Sequence, residues 1–490
     1  TFPVPDPWAV AVWIAVDPFL PQRYLVCRKG LAAEAGLPEM DEGVPPPPQP
    51  EGRIVRMDAL PLSVWLVLIA FAVLQAILAA AQAYEHRRFA RSRLRSIPAC
   101  RPAGRVILFV PCRGRDVGIE ENLSAFFEQD YADYEIRFLV ESADDPVCRS
   151  IRRVAAKHPG LCTRIHFTGK AANCGQKVHN LIQGTAELPD DAKYLAFADS
   201  DAQPRPEWLR ALVSRLDRDD VGAATGYRWF VPVRPTIPNL LATSINASMG
   251  MFLGSKNPNI VWGGSWAIQR RRFDELQIRQ AWRHKLNDDL VVTSTLRRRR
   301  LRIEYEPACA VASPLDLSAR QMVDFGRRQY LQGRLYLRRC WLIGLVLTTY
   351  SLGAFFAALA APAMITAGGA AGPWLFACAA AIIYAGWVYR GFQRVRLAEE
   401  LFPRHRRQLR AVRPLDLLGG PLTALVNWMI FASSAVGRRL VWRGIYYRLD
   451  PGGNVLQVRH QEGRLAVAAD AREENPAAAV EQVPAPAATA

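Results

Sequence analysis

Residues 59–84 (ALPLSVWLVLIAFAVLQAILAAAQAY) form an uncharged apolar run. A helix needs about 20 such residues to cross the hydrocarbon core of a bilayer, so a transmembrane helix is predicted over 59–84. The arginine-rich EHRRFARSRLR (85–95) follows at once. Basic residues stay on the cytoplasmic side, so the chain is expected to enter the cytoplasm there. The membrane pattern returns after residue 340. Two apolar spans within 341–389 (341–363 and 372–389) are joined by MITAGGAAG, a short neutral external turn. Their outer ends have basic flanks and face the cytoplasm. A fourth run, 415–436, has basic flanks on both sides. It reads either as a full crossing or as a re-entrant, interfacial hairpin broken at Gly419–Gly420.

Half of the 490 residues are apolar, yet the mean hydropathy is near zero. The grease is therefore concentrated in a few segments beside a substantial soluble domain. The net charge of +17 suits nucleic acid or an anionic membrane surface. The arginines cluster beside apolar runs, at 85–95, 326–339 and 404–413, which favours the membrane and argues against a nucleic-acid partner. Nine scattered cysteines include no CxxC pair, so neither a zinc site nor a disulfide framework is expected, and the soluble domain belongs in a reducing compartment. Residues 1–58 read as an N-terminal extension ending in a Pro-rich linker at Pro45–Pro48. Its apolar stretch near 7–16 is too short and lacks the basic leader of a signal peptide. The chain begins with Thr1, so the true start is expected upstream or has been misassigned. The Ala/Pro/Glu-rich tail, 466–490, is expected to be disordered.

From 104 the pattern changes. RVILFV (105–110), YEIRFLV (134–140), TRIHF (163–167) and KYLAFA (193–198) read as short strands, with helical stretches at 118–129 and 145–157 between them. Such alternation predicts an α/β domain with a largely parallel sheet, whose ligands sit at the carboxyl ends of the strands. Directly after KYLAFA stands Asp199-Ser200-Asp201. Two carboxylates at i and i+2 on a strand exit can reach one hard divalent cation that also holds phosphates. Acidic turns commonly end strands, so the triplet gains meaning from its neighbours. VPCRGRD (110–116) and ESADDP (141–146) end the first two strands, and VWGGSWAI (261–268) and NDDL (287–290) follow downstream.

Those motifs in that order, with FFEQDYADYEIRF (126–138) and WRGIYYRL (442–449), resemble family 2 nucleotide-sugar glycosyltransferases. The resemblance is to the ceramide glucosyltransferase-like enzymes and their bacterial hopanoid-lipid relatives. It covers 104–340 and implies a cytoplasmic GT-A domain ending in an interfacial segment and inserted between transmembrane helices of a bacterial inner membrane protein. Pro111 and Arg113 would line the nucleotide site. Glu141, Asp144 and Asp145 would border uracil and ribose; Asp144 is the preferred match to the family's aspartate, and Asp145 also reads as a helix cap. Lys177 matches the family's lysine before the metal triplet, and otherwise reads as a solvated lysine. Asp199 and Asp201 would coordinate Mg²⁺ or Mn²⁺ across the donor diphosphate. Gly263 and Gly264 would let backbone approach the donor sugar, or simply form a tight turn. Asp289 would be the general base, with Asp288 in support and Asn287 capping the helix that begins there. One base with no second nucleophile implies inversion.

The last motif departs from the pattern. Many relatives carry Q/RxxRW before the membrane; here Gln329 fits, but Gln332 and Gly333 hold the arginine and tryptophan positions. Arg327, Arg328 and Arg334 could supply charge against a phosphate or anchor an interfacial helix. The resemblance thus implies transfer from a UDP-sugar to a lipid hydroxyl, of ceramide or hopanoid type. A processive polysaccharide synthase would share the donor motifs but needs an export channel and an intact QxxRW. A non-catalytic scaffold with a degenerate domain would have no use for both acidic motifs.

Overall fold

The first apolar run folds as helix α1, Leu62–Arg95, in a computed structural model that describes residues 62–97, 103–255, 258–365, 372–460 and 480–482. The readings of 1–58 fall outside those residues. α1 continues through the basic stretch, and at 34 residues it is roughly 50 Å long, well beyond the ~30 Å of hydrocarbon. Its last turns dock on the soluble domain. Arg93 pairs with Glu304 at 2.7 Å, and His86 Nδ1 lies 2.6 Å from the Leu253 carbonyl.

The domain then alternates β1 (Arg105–Cys112), α2 (Ile119–Phe127), β2 (Tyr134–Val140), α3 (Val147–Ala155), β3 (Thr163–Phe167), α4 (Gln176–Gly184) and β4 (Ala192–Ala198). β1 pairs in parallel with β2 and β4, and β2 with β3. Val106 to Val110 are all fully buried, because helices cover both faces of a parallel sheet; such strands read as unbroken apolar runs. The second half adds β5 (Val221–Thr225), β6 (Arg228–Pro232), α5 (Ile237–Gly250), β7 (Ser265–Gln269), α6 (Asp289–Arg298), β8 (Arg302–Tyr305) and β9 (Val311–Leu315). The main sheet runs β3-β2-β1-β4-β7-β5-β8, with β7 antiparallel to both neighbours. β6 and β9 form a separate parallel pair. The expected mostly parallel α/β sheet is present, with one strand reversed at its centre. Near the end of β4, the Phe197 and Trp266 rings stack at 4.2 Å, fixing the β4–β7 seam two residues before Asp199.

α7 (Ala319–Tyr336) opens with a capping box between Ser318 and Gln321 and leads into α8 (Arg338–Ile365) and α9 (Gly372–Leu401). Among the described residues, three helices are long and apolar enough to cross a membrane: these last two and α1. The run 415–436 is not one continuous helix. A short helix, Arg413–Leu418, stops at Gly419, and α10 (Gly420–Ser433) has 14 residues. That is about 21 Å, short of the ~30 Å of hydrocarbon. α10 leans on α7 through stacked Tyr330 and Phe431 rings, 4.1 Å apart.

The boundary at 340 needs correction. After α10 the chain returns to the soluble domain as β10 (Arg439–Trp442), β11 (Ile445–Leu449) and β12 (Val455–His460), an antiparallel meander. Leu440, Ile445, Tyr447 and Leu449 share a buried cluster with Leu286 and Leu331. The backbone N–H of Gln176 donates to the Tyr447 hydroxyl at 3.1 Å. Alternating apolar residues drive this burial, which a domain drawn from 104 to 340 omits. Within the tail expected to be disordered, β13 (Val480–Gln482) adds antiparallel to β3, held by a 2.7 Å Arg152–Glu481 ion pair. The rest of 466–490 lies outside the described residues.

Candidate active site

The strand ends meet where the sheet order places them. Asp199 leaves β4 with Oδ1 2.7 Å from Lys177 Nζ on α4. The same ammonium is 3.1 Å from Asp288 Oδ2. The Gly263 backbone N–H donates to Asp289 Oδ2 at 2.8 Å. Lys177 and the WGGS turn therefore join the metal triplet to the acidic pair. The turn requires glycine. A Cβ on Gly263 would lie 2.8 Å from both Asp288 Oδ2 and Lys177 Nζ, and one on Gly264 would lie 2.6 Å from Asp199 Oδ2. Asn287 Oδ1 accepts from the Leu290 N–H at 2.6 Å, from one position before the helix N-cap, which is Asp288 rather than Asn287. Its Nδ2 donates to Gln332 Oε1 at 2.6 Å, so Gln332 positions this loop.

Burial sets the electrostatics. Asp288 is 3% exposed, and its carboxyl is pushed up to about 7 by burial, against the pull of Lys177. Asp289 is also raised by burial, against Lys177 and the Gly263 hydrogen bond. Burial opposes charge on Lys177 too, but Asp199, Asp288 and Asp289 outweigh it and hold the ammonium above its ordinary range. Asp199 is lowered because Lys177 and Arg228 overcome its burial. Asp201 is raised, chiefly by burial. Neighbouring carboxylates with opposed shifts are a mark of functional sites.

In the nucleotide half, Arg113 pairs with Glu141, and Pro111 lies opposite Leu139 near the end of β1. Asp145 accepts the Gly114 N–H at 2.9 Å and the Val147 N–H at 2.9 Å, which ties the loop after β1 to the start of α3, whose N-cap is Pro146. Asp144 is exposed and bonded to Ser142; the acid facing Arg113 is Glu141. Gln329 is exposed on α7. Arg327 donates to the Val436 carbonyl at 2.8 Å, and Arg334 donates to those of Ala435 and Gly437. These two arginines hold the chain that leaves α10. Arg328 alone of the three has its charge near the triplet: burial, then Arg228 and Arg443, lower it to about 9, while Asp199 and Asp201 pull the other way.

Sequence reasoning passed over three residues here. Arg228, at the start of β6, reaches Asp201 Oδ2 at 3.2 Å and lies over the Trp262 ring at 5.3 Å. Asp116, the last residue of VPCRGRD, accepts from the Ser200 hydroxyl at 2.7 Å. Arg443 Nη2 lies 2.6 Å from Asp116 Oδ1. The available signals were the aspartate in an already selected motif and an arginine between aromatics in WRGIYYRL.

The triplet fits a divalent cation in part. Asp201 Oδ1 is buried with no hydrogen-bond partner, an orphaned anionic oxygen of the kind a metal would satisfy. Among the described residues, no group of three or more His, Cys, Asp or Glu is arranged to hold a metal alone. That suits Mg²⁺ or Mn²⁺ bound by one or two carboxylates and completed by substrate phosphates.

The model of glycosyl transferase family 21 matches residues 66–455. Ceramide glucosyltransferases 1 and 3 of Caenorhabditis elegans are 30% and 27% identical over 77 residues, 16% of this chain. The chain spans about a sixth of the length of these curated relatives, 16% and 17%. Among solved structures, a Pyrobaculum calidifontis mannosyltransferase in complex with GDP-Man and Mn²⁺ is 18% identical, with a TM-score of 0.41, over 72% of this chain and 99% of that one. Glucosyl-3-phosphoglycerate synthase of Mycobacterium tuberculosis with Mn²⁺, UDP and phosphoglyceric acid is 14% identical, with a TM-score of 0.30, over 47% and 78%.

Proposed function

The chain belongs to glycosyl transferase family 21, and from that premise we propose that its GT-A-like domain transfers a sugar from a UDP-sugar to a membrane-lipid hydroxyl, with inversion. The observation that carries this reading is the bridge from Lys177 to both Asp199 and Asp288. It joins Asp199 to Asp288, the neighbour of the candidate base Asp289, and so supports a single cleft for donor and acceptor. Asp289 takes the proton of the acceptor hydroxyl as it attacks the anomeric carbon. Asp288 and Lys177 fix the position and charge of that carboxylate. Pro111, Arg113 and Glu141 border the nucleotide, and Gly263 and Gly264 give the sugar a backbone wall. Asp199 and Asp201 would hold Mg²⁺ or Mn²⁺, whose charge offsets the negative charge on the departing diphosphate.

A lipid of ceramide or hopanoid type suits the surroundings. α5, α7 and α10 contact one another, α8 contacts α7 and α10, and Ile237, Val323, Leu422 and Met429 on α5, α7 and α10 are exposed. An apolar acceptor could present its hydroxyl at this rim without leaving the bilayer. Membranes carrying the protein, given radiolabelled UDP-glucose or UDP-N-acetylglucosamine, should label an extractable lipid whose mass rises by one hexose or N-acetylhexosamine. Label confined to a water-soluble polymer, or absent from lipid with both donors, would sink the reading.

The catalytic domain is proposed to face the cytoplasm of a bacterial inner membrane protein, from the basic flanks at 85–95 and 326–339. A cysteine introduced into the domain, on a background without native cysteines, should react with an impermeant thiol reagent only after cells are opened. Labelling from outside intact cells would reverse the orientation.

A further inference from the structure

The turn between β10 and β11 has two residues, Arg443 and Gly444, since Trp442 pairs directly with Ile445. Both have positive φ, 48° and 76°, the combination of a type I′ hairpin turn. Glycine, asparagine and aspartate are the ordinary choices there, so the arginine is held against its backbone preference. Closing a hairpin calls for no long cationic side chain, and strain of this kind gathers at functional sites.

The guanidinium reaches back across the fold. Nη1 donates to the Arg113 carbonyl at 2.6 Å, and Nη2 donates to Asp116 Oδ1 at 2.6 Å. Asp116 in turn accepts from Ser200, the middle residue of the metal triplet. These contacts leave further donors of the five-donor guanidinium fork unspoken for. Beside it, Arg328 lies 4.8 Å over the Trp442 ring, and its buried Nε has no hydrogen-bond partner. Arg228 flanks the other side of the triplet, at Asp201. Guanidiniums gathered this closely, one with an unsatisfied buried donor, make a pocket that an anion with several oxygens would complete.

We infer that Arg443, presented by this turn beside Arg328, binds the diphosphate of a nucleoside diphosphate donor. The inference rests on the nucleotide-sugar reading above and adds a residue from the far end of the chain to it. The test uses full-length protein in detergent and two probes, UDP and uridine, which differ in the diphosphate. Arg443→Asn removes the charge while keeping a residue that tolerates positive φ. It should weaken UDP by about 10- to 100-fold, the range for a lost charge-assisted hydrogen bond, and leave uridine within about two-fold. UDP affinity within about two-fold of wild type would overturn the inference. Equal weakening of both probes would too, because it would make Arg443 a latch for the hairpin. A wild-type protein that binds neither probe would instead remove the donor reading, and the inference with it. If Arg443→Asn gives no folded protein, Arg443→Lys takes its place. That change keeps the charge but loses the fork, and should weaken UDP alone by about 3- to 10-fold, with the same opposing outcomes.

Discussion

Asp289→Asn should lower turnover by about 10²–10⁴-fold, roughly 3–5 kcal/mol of barrier, with little change in UDP affinity. The substitution keeps shape and one acceptor oxygen but removes the proton acceptor. The Gly263 N–H, on Oδ2 at 2.8 Å, can pass to the amide oxygen, and the Leu290 N–H, on Oδ1 at 2.7 Å, keeps Asn287 Oδ1 as its acceptor at 2.6 Å, so the turn should hold. Donor affinity depends on residues at the other strand ends. Calorimetry with UDP and a transfer assay on one preparation separate the two quantities. Turnover within a few-fold of wild type would move the base role to Asp288, which is more deeply buried and already faces Lys177. Equal loss of binding and rate would make Asp289 structural.

Asp201→Ala should abolish metal-dependent transfer, a loss of about 10³-fold if the ion contributes some 4 kcal/mol. The orphaned Oδ1 of Asp201 is the atom a cation would satisfy. Removing the carboxylate also deprives Arg228 of its 3.2 Å partner and Ser313 of its 3.1 Å acceptor. A melting curve must therefore show that the variant is folded. Wild-type UDP affinity should rise on adding Mn²⁺ to EDTA-treated protein, whereas the variant's should stay flat. A variant that keeps the wild-type Mn²⁺ response, or near wild-type turnover in the same titration, would remove Asp201 from the metal site.

The Asp199–Asp201 triplet, the WGGS turn, Lys177 and the acidic pair could be seen in sequence to lie near one another because each is a short motif at a strand or helix end. A parallel sheet gathers such ends on one edge whatever the loops do. The role of 415–436 was not legible, because hydropathy cannot distinguish a span from a run broken at Gly419; the structure gives α10 only 14 residues. Arg327 and Arg334 also misled: charge is visible in sequence, but their acceptors are carbonyls about a hundred positions away. Arg443 lay furthest out of reach, since its partner carbonyl at Arg113 is 330 residues earlier. The expected Arg–Trp pair was sought at Gln332 and Gly333. Trp442 and Arg443 come to the same cleft from a hairpin beyond the last helix, through contacts that no sequence window contains.

The late meander also orders events during synthesis. The cluster around Leu286 and Leu331 is closed by Leu440, Ile445, Tyr447 and Leu449, which the ribosome makes only after α8, α9 and α10. Leu440 follows Leu331 by 109 positions, about 5–22 s of translation at roughly 5–20 residues per second. Throughout that interval the nascent domain has its strands but an open flank beside the acidic pair. Closing that flank requires the intervening helices to have been threaded and the chain returned to the side it left. A chain whose helices are misthreaded delivers the meander to the wrong compartment and leaves the flank open. Proper insertion thereby becomes a condition for a finished domain.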